Sequence, residues 1–404
     1  MLNAIGIDVS KSKSTVAAMQ PGGVLVAKPF EIAHTKSGIQ ELIDYVKGLE
    51  GETRIVMEHT GHYYEPLAMW LSKANLFVST VNPKLIKDFG NNTLRHVKTD
   101  KADAKKIARY TLDNWADLRE HTNMDTKRIE LKALNRQFAF CMKQKTAYKN
   151  NLISLIDQTY PGANAYFTSP ARSDGRQKWV DFITEFWHVD LVRECSLESF
   201  TEQYREWCKE HGYRFQPSKP AELLGKAQEL VAVLPKDEMA GTLIKQAVEQ
   251  LNAISKAVEE LRAKMNELAM ELPEYPAVIA MTGVGTTLGP QLIAEIGDIS
   301  RFARRGSLTA YAGVDPGANQ SGDKHRNSNK TSKAGSPHLR RALFQVVDGL
   351  IKRSPGDNPV YCFMDKKRSE GKPYYVYMTA GANKFLRIYY GRVKEYLASL
   401  LPTA

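Results

Sequence analysis

The chain reads as an α/β domain followed by a largely helical region, and three observations predict this. Short apolar segments alternate with amphipathic ones over residues 1–115. A 3-4 spacing of apolar residues runs unbroken from Ile244 to Leu268, and helical patterns punctuated by glycine fill the chain beyond 276. With 404 residues, 43% of them hydrophobic, two or three domains can each bury a core. The expected divisions are 1–120, 121–275 with an aromatic-rich insertion at 160–222, and 276–404.

"AIGIDV" and "TVAAM" have the apolar character of short strands joined by the polar turn "SKSK", and "VLVAKPF" follows "PGG" as a third strand. "SGIQELIDYVKGL" is a helical pattern, "RIVMEH" a fourth strand, "YEPLAMWLSKA" a helix and "LFVSTV" a strand. Three consecutive strands followed by helix–strand–helix–strand predict a mixed sheet with helices packed on it, the order used by ribonuclease-H-like folds. Farther on, Ile244, Ala247, Leu251, Ile254, Val258, Leu261, Met265 and Leu268 form a coiled-coil seam. Leu131, Leu134, Phe138, Cys141, Tyr148, Leu152 and Leu155 form a second, poorer seam with Lys145 inside it. Together they predict an antiparallel arm or a dimer interface. Residues 160–215 hold twelve aromatics in 56 positions, a density well above the 9% of the whole chain. Tyr166, Phe167, Trp179, Trp187 and Trp207 are of the type that stacks on bases. The simpler reading makes them the core of an inserted subdomain.

Lysine and arginine exceed aspartate and glutamate by 11, which points to a polyanionic partner without distinguishing DNA, RNA and membrane surface. No apolar run has the length of a membrane span, and "MLNAIGIDVSKSKS" lacks the pattern of a signal peptide. Cys141, Cys195, Cys208 and Cys362 are scattered, as thiols of a reducing cytoplasm would be. The expected location is therefore the cytoplasm. "PAVIAMTGVGTTLGPQLIAEIGD" has no Lys-Ser/Thr after its glycines, so a P-loop is excluded. It fits a helical hairpin in which Gly283 and Gly285 let backbone N–H groups approach a DNA phosphate. Between 301 and 353 eleven Lys/Arg face three acidic residues, a local basic surface.

"HVKTDKADAKKIARY", residues 96–110, carries two aspartates amid five basic residues. Helical spacing puts Asp100 and Asp103 on one face. Asp8 ends the first strand and Glu58 the fourth, where open α/β sheets carry their sites. In a ribonuclease-H-like sheet these strands are parallel neighbours, so four carboxylates converge. Such a cluster is unfavourable unless cations neutralise it, and two Mg²⁺ ions about 3.5–4 Å apart would do so while activating a nucleophile on a phosphodiester. Lys11, Lys98, Lys101 and Lys105 would hold the nucleic acid beside the acids. His59 and His62 flank Glu58, with supporting or surface roles expected because no third nitrogen or sulfur ligand accompanies them.

"GIDVSKS", "VMEHTGHYYEPLA", "NPKLIKDF" and "VKTDKADAKKIA" resemble the N-terminal domain of the DEDD insertion-sequence transposases. This is the insertion-sequence family numbered one hundred and ten, related to the Piv pilin-gene invertase. "LTAYAGVDPGANQSGDKHRNSNKTSKAGSPHLRRALF" resembles that family's second signature. The resemblance implies a RuvC-like DEDD domain, a coiled-coil dimerisation arm and a C-terminal transposase domain. It implies donor and target DNA as substrates, a noncoding bridge RNA that pairs with both, and homodimers assembling to a tetramer. The same resemblance makes Ser321 the nucleophile of a covalent phosphoserine step. Lys324, Arg326, Lys330 and Lys333 would neutralise phosphate charge, and Arg340 and Arg341 extend the basic surface. The residues alone favour a turn at Ser321, beside Asn319, Gly322 and Asp323.

Other chemistries compete for the same residues. His338 and Arg341 have the H-x-x-R spacing of tyrosine recombinases, with Tyr361, Tyr374, Tyr375 and Tyr377 downstream, yet that class lacks a four-acid domain. The four acids also suit a metal-dependent structure-specific nuclease, and a guide-free invertase would need no RNA. The basic surface alone would serve a nonenzymatic nucleic-acid-binding protein. The aromatic insertion and the tail "YYVYMTAGANKFLRIYYGRVKEYL" depart from compact members of the family.

Overall fold

The computed structural model describes residues 1–59, 61–89, 99–122, 124–316, 320–321, 324–325 and 331–401, with the backbone alone at 320–321 and 324–325. The chain divides into two units, 1–123 and 124–404.

In the first unit, β1 (Leu2–Val9) and β2 (Lys13–Gln20) form an antiparallel pair that sets Asp8 opposite Thr15. The expected third strand is instead two. β3 (Val24–Leu25) and β4 (Phe30–Ala33) each pair with β2, and Pro29, which has no N–H to give a ladder, lies between them. α1 (Lys36–Lys47) starts at Thr35, whose Oγ1 accepts from Gly38 N at 3.1 Å. β5 (Glu52–Glu58) then runs parallel to β1, α2 (Tyr64–Lys73) follows, and β6 (Phe77–Val81) runs parallel to β5. α3 (Pro83–Phe89) and α4 (Asp100–Asp113) complete the unit. The sheet order is β3-β2-β1-β5-β6, with β4 also on β2, so the expected mixed sheet and the β1–β5 adjacency are both present.

Alternation along the strands gives the sheet two different faces. Ile5, Ile7, Ile55 and Met57 enter one core with Leu42 of α1 and Leu67 of α2. On the other face Ala17 and Met19 meet Ala104 and Ala108 of α4, while Val56 meets Ile107. Gly6 lies on that second face. A Cβ at this position would sit 2.2 Å from Ala108 N and 2.3 Å from Ala104 O, so helix backbone rests directly on strand backbone.

The second unit opens with α5 (Thr126–Thr159), followed by α6 (Lys178–Glu185), α7 (Asp190–Arg193), α8 (Leu197–Glu210), α9 (Lys219–Glu229) and α10 (Glu238–Met270). α5 and α10 are antiparallel. Lys127 and Arg128, at the start of α5, reach Glu271 and Glu274 just beyond α10, while Val233 N donates to Gln158 O near the other end. The seams therefore pair within one chain, and Lys145 faces Glu259 at 4.0 Å. Residues from Tyr160 to Leu224 form an aromatic core in which Trp179, Phe182, Tyr204 and Trp207 are buried and Tyr166, Phe167 and Trp187 are partly buried. Core filling, rather than an open stacking surface, is what these aromatics do.

Beyond the arm come α11 (Tyr275–Ile279), α12 (Leu288–Ile296), α13 (Arg305–Ala312), the short pair β7 (Gln320–Ser321) and β8 (Lys324–His325), α14 (Pro337–Arg353), α15 (Pro359–Ser369) and α16 (Tyr374–Ser399). Their core includes Leu131 and Phe138 of α5 and Val258 and Met265 of α10. Ile244, Ala247 and Leu251 belong to the aromatic core instead. One arm thus serves two cores, and no core boundary falls at 275–276. Among the described residues no helix is long and apolar enough to cross a membrane. All four cysteines are free.

Gly6→Ala should destabilise the first unit by about 1–3 kcal/mol, the range for overpacking a close contact. Chemical denaturation of the full chain, followed by hydrogen exchange in α4, measures it; unchanged protection would show that α4 does not need the glycine.

Candidate active site

The register of β1 and β5 pairs Ile7 with Met57. Asp8 and Glu58 are the next residues of these parallel neighbours, and alternation turns both toward the face covered by α4. α4 begins at Thr99, whose Oγ1 accepts from Ala102 N at 3.2 Å, so Asp100 and Asp103 occupy the first turn, where the helix dipole favours negative charge. Gly6, two residues before Asp8, permits the close approach that brings this turn to the strand end. The consequence is electrostatic. Burial, then repulsion from Asp103 and Asp100, pushes the Asp8 carboxyl up to about 6.

Three of the four predicted acids thus act on one another, with Glu58 beside Asp8 in the sheet. The donors are carboxylates, hard oxygen ligands that suit Mg²⁺ or Mn²⁺. The raised Asp8 carboxyl is that of an acid cluster short of positive charge, so the residues fit a divalent cation. The four acids do not close into a tight three-ligand group. Among the described residues, the three whose donor atoms all lie within 4.8 Å of one another are Glu185, Glu210 and His211, on the aromatic subdomain. His62 lies 3.7 Å from Glu65, and His59 N donates to Val81 O. Lys11 and Lys101 are exposed and Lys105 is partly exposed near the acids; Lys98 lies outside the described residues.

Ser321 is paired with Lys324 across the β7–β8 ladder, and Pro316 bridges Thr331. Arg326 and Lys330 lie outside the described residues, while Lys333 is exposed. The base of this segment is tied together. Ser336 N donates to Tyr311 O at 2.8 Å, and a Cβ on Gly335 would sit 2.0 Å from that same oxygen. Arg340, expected to hold phosphate, donates through Nη1 to Ala312 O at 3.0 Å and Gly335 O at 2.9 Å, which pins the two ends of the segment. Beneath it, buried Glu295 accepts from Asn135 Nδ2, Arg136 Nε and Nη2, and Ser336 Oγ. Sequence reasoning misses both Gly6 and Glu295. Their traces are a glycine two residues before a strand-end acid, and a lone acid in the apolar run "LIAEI".

In the glycine hairpin Gly283 has φ +87° and a Cβ there would sit 3.1 Å from Leu350, so the glycine serves packing against α14. Gly285 is exposed with nothing near its Cβ position, which leaves that turn accessible. His338 and Arg341 line a cleft between α5, α10, α12 and α14, and none of Tyr361, Tyr374, Tyr375 or Tyr377 lines it.

Residues 5–161 match the DEDD transposase family of IS110 elements, described as transposase, and residues 276–360 match the transposase IS116/IS110/IS902 family. The chain is 23% identical over 396 residues to the pilin gene-inverting protein of Moraxella bovis, covering 97% of this chain and 95% of that one. It is 26% identical over 377 residues to the mini-circle putative transposase for IS117 of Streptomyces coelicolor, with 88% and 86% covered. An uncharacterized insertion element IS116 protein of Streptomyces clavuligerus is 22% identical over 370 residues, with 91% and 88% covered. The first family match contains all four acids and the second contains Ser321.

Asp8 binds its proton more tightly folded than unfolded, so its ionised form destabilises the metal-free protein above about pH 6, and that penalty fades as the pH falls below 6. Asp8→Asn should raise the stability of metal-free protein at pH 7.5 by about 1 kcal/mol, after discounting for a partly exposed site, and should give no gain at pH 4. Mg²⁺ should raise the melting temperature of wild type and not of Asp8→Asn. Arg340→Ala should cost about 1–3 kcal/mol of stability by leaving two carbonyls unpaired. Its DNA affinity should keep the wild-type salt slope, whereas loss of a phosphate contact would lower that slope by about 1.

Proposed function

The chain belongs to the IS116/IS110/IS902 transposase family and is a DNA-recombining enzyme, and from that premise we propose that it cuts and rejoins DNA through Ser321 with help from the acid cluster. The observation that carries the reading is the convergence of Asp8, Asp100 and Asp103, with Glu58 at the neighbouring strand end. Ser321 Oγ attacks a phosphodiester, the Oγ–P bond forms as the bond to one sugar oxygen breaks, and the serine proton leaves to that oxygen. A hydroxyl of a second strand then reverses the step and releases the serine, so bond energy is conserved without ATP. Asp8, Glu58, Asp100 and Asp103 hold the cation, Mg²⁺ in this reading. A divalent ion bound there would supply Lewis-acid stabilisation of phosphoryl oxygens. Lys324, Arg326, Lys330 and Lys333 steady the phosphate, and Lys11, Lys98, Lys101, Lys105 and the Gly285 turn hold the DNA backbone.

A bridge RNA selecting donor and target, in a dimer that assembles to a tetramer, completes the proposal; the excess of 11 positive charges supports polyanionic partners in general. RNA sequenced from purified protein should contain two segments matching donor and target. If no RNA copurifies, the chain acts as a guide-free recombinase. The pilin gene-inverting relatives, matched along nearly their whole length, bear their own name for such a reaction.

The test of the chemistry is trapping of covalent protein–DNA adducts under denaturing conditions, in cells carrying the gene with its flanking DNA. The adduct should vanish in Ser321→Ala and Asp100→Ala and persist in Tyr361→Phe. DNA cleavage with no adduct in wild type would remove the serine step and make the chain a metal-dependent nuclease.

A further inference from the structure

The cleft containing His338 and Arg341 has chemistry that the recombination reading does not use. It has a volume of about 280 Å³ and lies wholly within the second unit. Phe138, Met142 and Leu288 make its apolar wall, while Arg262, His338, Arg341, Gln291 and Gln345 bring polar groups to it. Asn135 also lines it and is buried, with a relative exposure of 3%. Its Nδ2 is committed to Glu295, and its Oδ1 has no hydrogen-bond partner. That oxygen is closed off from solvent, so Asn135 forms a fixed polar floor of the cleft, held in place through Nδ2.

One cation is available. The Arg341 side chain is exposed and makes no hydrogen bond or ion pair among the described residues. Arg262 is engaged, giving Nη1 to Glu259 and lying 5.9 Å from the centre of the Phe138 ring. Burial, then the charge of Arg136, holds the His338 imidazole below its ordinary range against the opposing pull of Glu295.

We propose that this cleft binds a single unpaired nucleotide, with the base against Phe138, Met142 and Leu288 and the phosphate at Arg341. The size decides the class. At about 280 Å³ the cleft matches the smallest small-molecule pockets, which begin at about 300 Å³; this limits it to one nucleotide and excludes a duplex. The pattern decides the rest. An aromatic and apolar wall accepts a base face, Gln291 and Gln345 read its edges, and the guanidinium takes the anion. A base displaced from a duplex during strand exchange, or an unpaired base of an RNA, has this chemistry. The inference does not depend on the role of Ser321.

The experiment uses the full-length protein carrying ¹³C-methyl methionine, with the Met142 resonance assigned by Met142→Leu. Deoxyribonucleoside and ribonucleoside 5′-monophosphates, the parent nucleosides and inorganic phosphate are titrated to about 10 mM, since single-nucleotide affinities near 1 mM correspond to about −4 kcal/mol. At least one nucleotide should shift the Met142 methyl, and Arg341→Gln should weaken it about tenfold, the effect of losing one charge-assisted hydrogen bond, while the nucleoside is unaffected. The remaining methionine signals report whether the variant is folded; Gln345→Ala, expected to alter preference among bases, serves if it is not. Preference for deoxy or ribo nucleotides assigns the source to DNA or RNA. A Met142 signal unmoved by every nucleotide, or moved equally in Arg341→Gln, overturns the proposal.

Discussion

The first unit depends on one contact, that between the backbone of β1 at Gly6 and the backbone of α4 at Ala104 and Ala108. Three small residues let a helix lie on a sheet without intervening side chains. The first turn of that helix is thereby carried to the strand end where Asp8 projects. The electrostatic cost appears in the same place, as a carboxyl that holds its proton well above the usual aspartate range. Packing elsewhere in the unit, with Ile5, Ile7, Ile55 and Met57 against α1 and α2, offsets that cost. A cation would remove it, which is how a fold can store a metal preference in an otherwise unfavourable cluster.

The helical unit uses buried charge for a different purpose. Glu295 gathers donors from α5 and from the cap of α14, and Arg128 spans from α5 to Glu274 with both oxygens at 2.6 and 2.7 Å. Buried ion pairs contribute little net stability against an apolar replacement, yet breaking one leaves an unpaired charge. Their effect is to select one arrangement of the arm against the C-terminal helices. Since the arm also enters the aromatic core, the tie through Glu295 joins the base of the serine-bearing segment to the arm, while Arg340 closes that base on itself.

Legibility differs with the kind of signal. Periodicity is reliable. Alternation in "AIGIDV" and the 3-4 spacing from Ile244 to Leu268 predict elements found at those places, because side-chain burial obeys the repeat of the backbone. The third strand reads as continuous and is not, since "VLVAKPF" is apolar enough but Pro29 breaks its ladder. Arg340 misleads for a related reason. An arginine in a basic run looks like a phosphate ligand, and whether two backbone carbonyls lie within its reach is decided by how Gly313 and Gly335 pack. Gly283 likewise suggests freedom to approach DNA, whereas its near neighbour is Leu350.

By itself the sequence determined the mixed sheet, the strand-end positions of Asp8 and Glu58, the pairing of Asp100 with Asp103 on a helix turn, and the family. These follow from local repeats and short motifs, which need no knowledge of distant neighbours. Only the tertiary structure decided that α4 rests on Gly6, that Asp8 is the acid whose proton is held, and that the seams pair within one chain. It also decided that His338, Arg341 and Asn135 share one cleft. Each of these depends on residues far apart in the chain arriving at contact distance, and burial, charge and hydrogen bonding acquire their values only there.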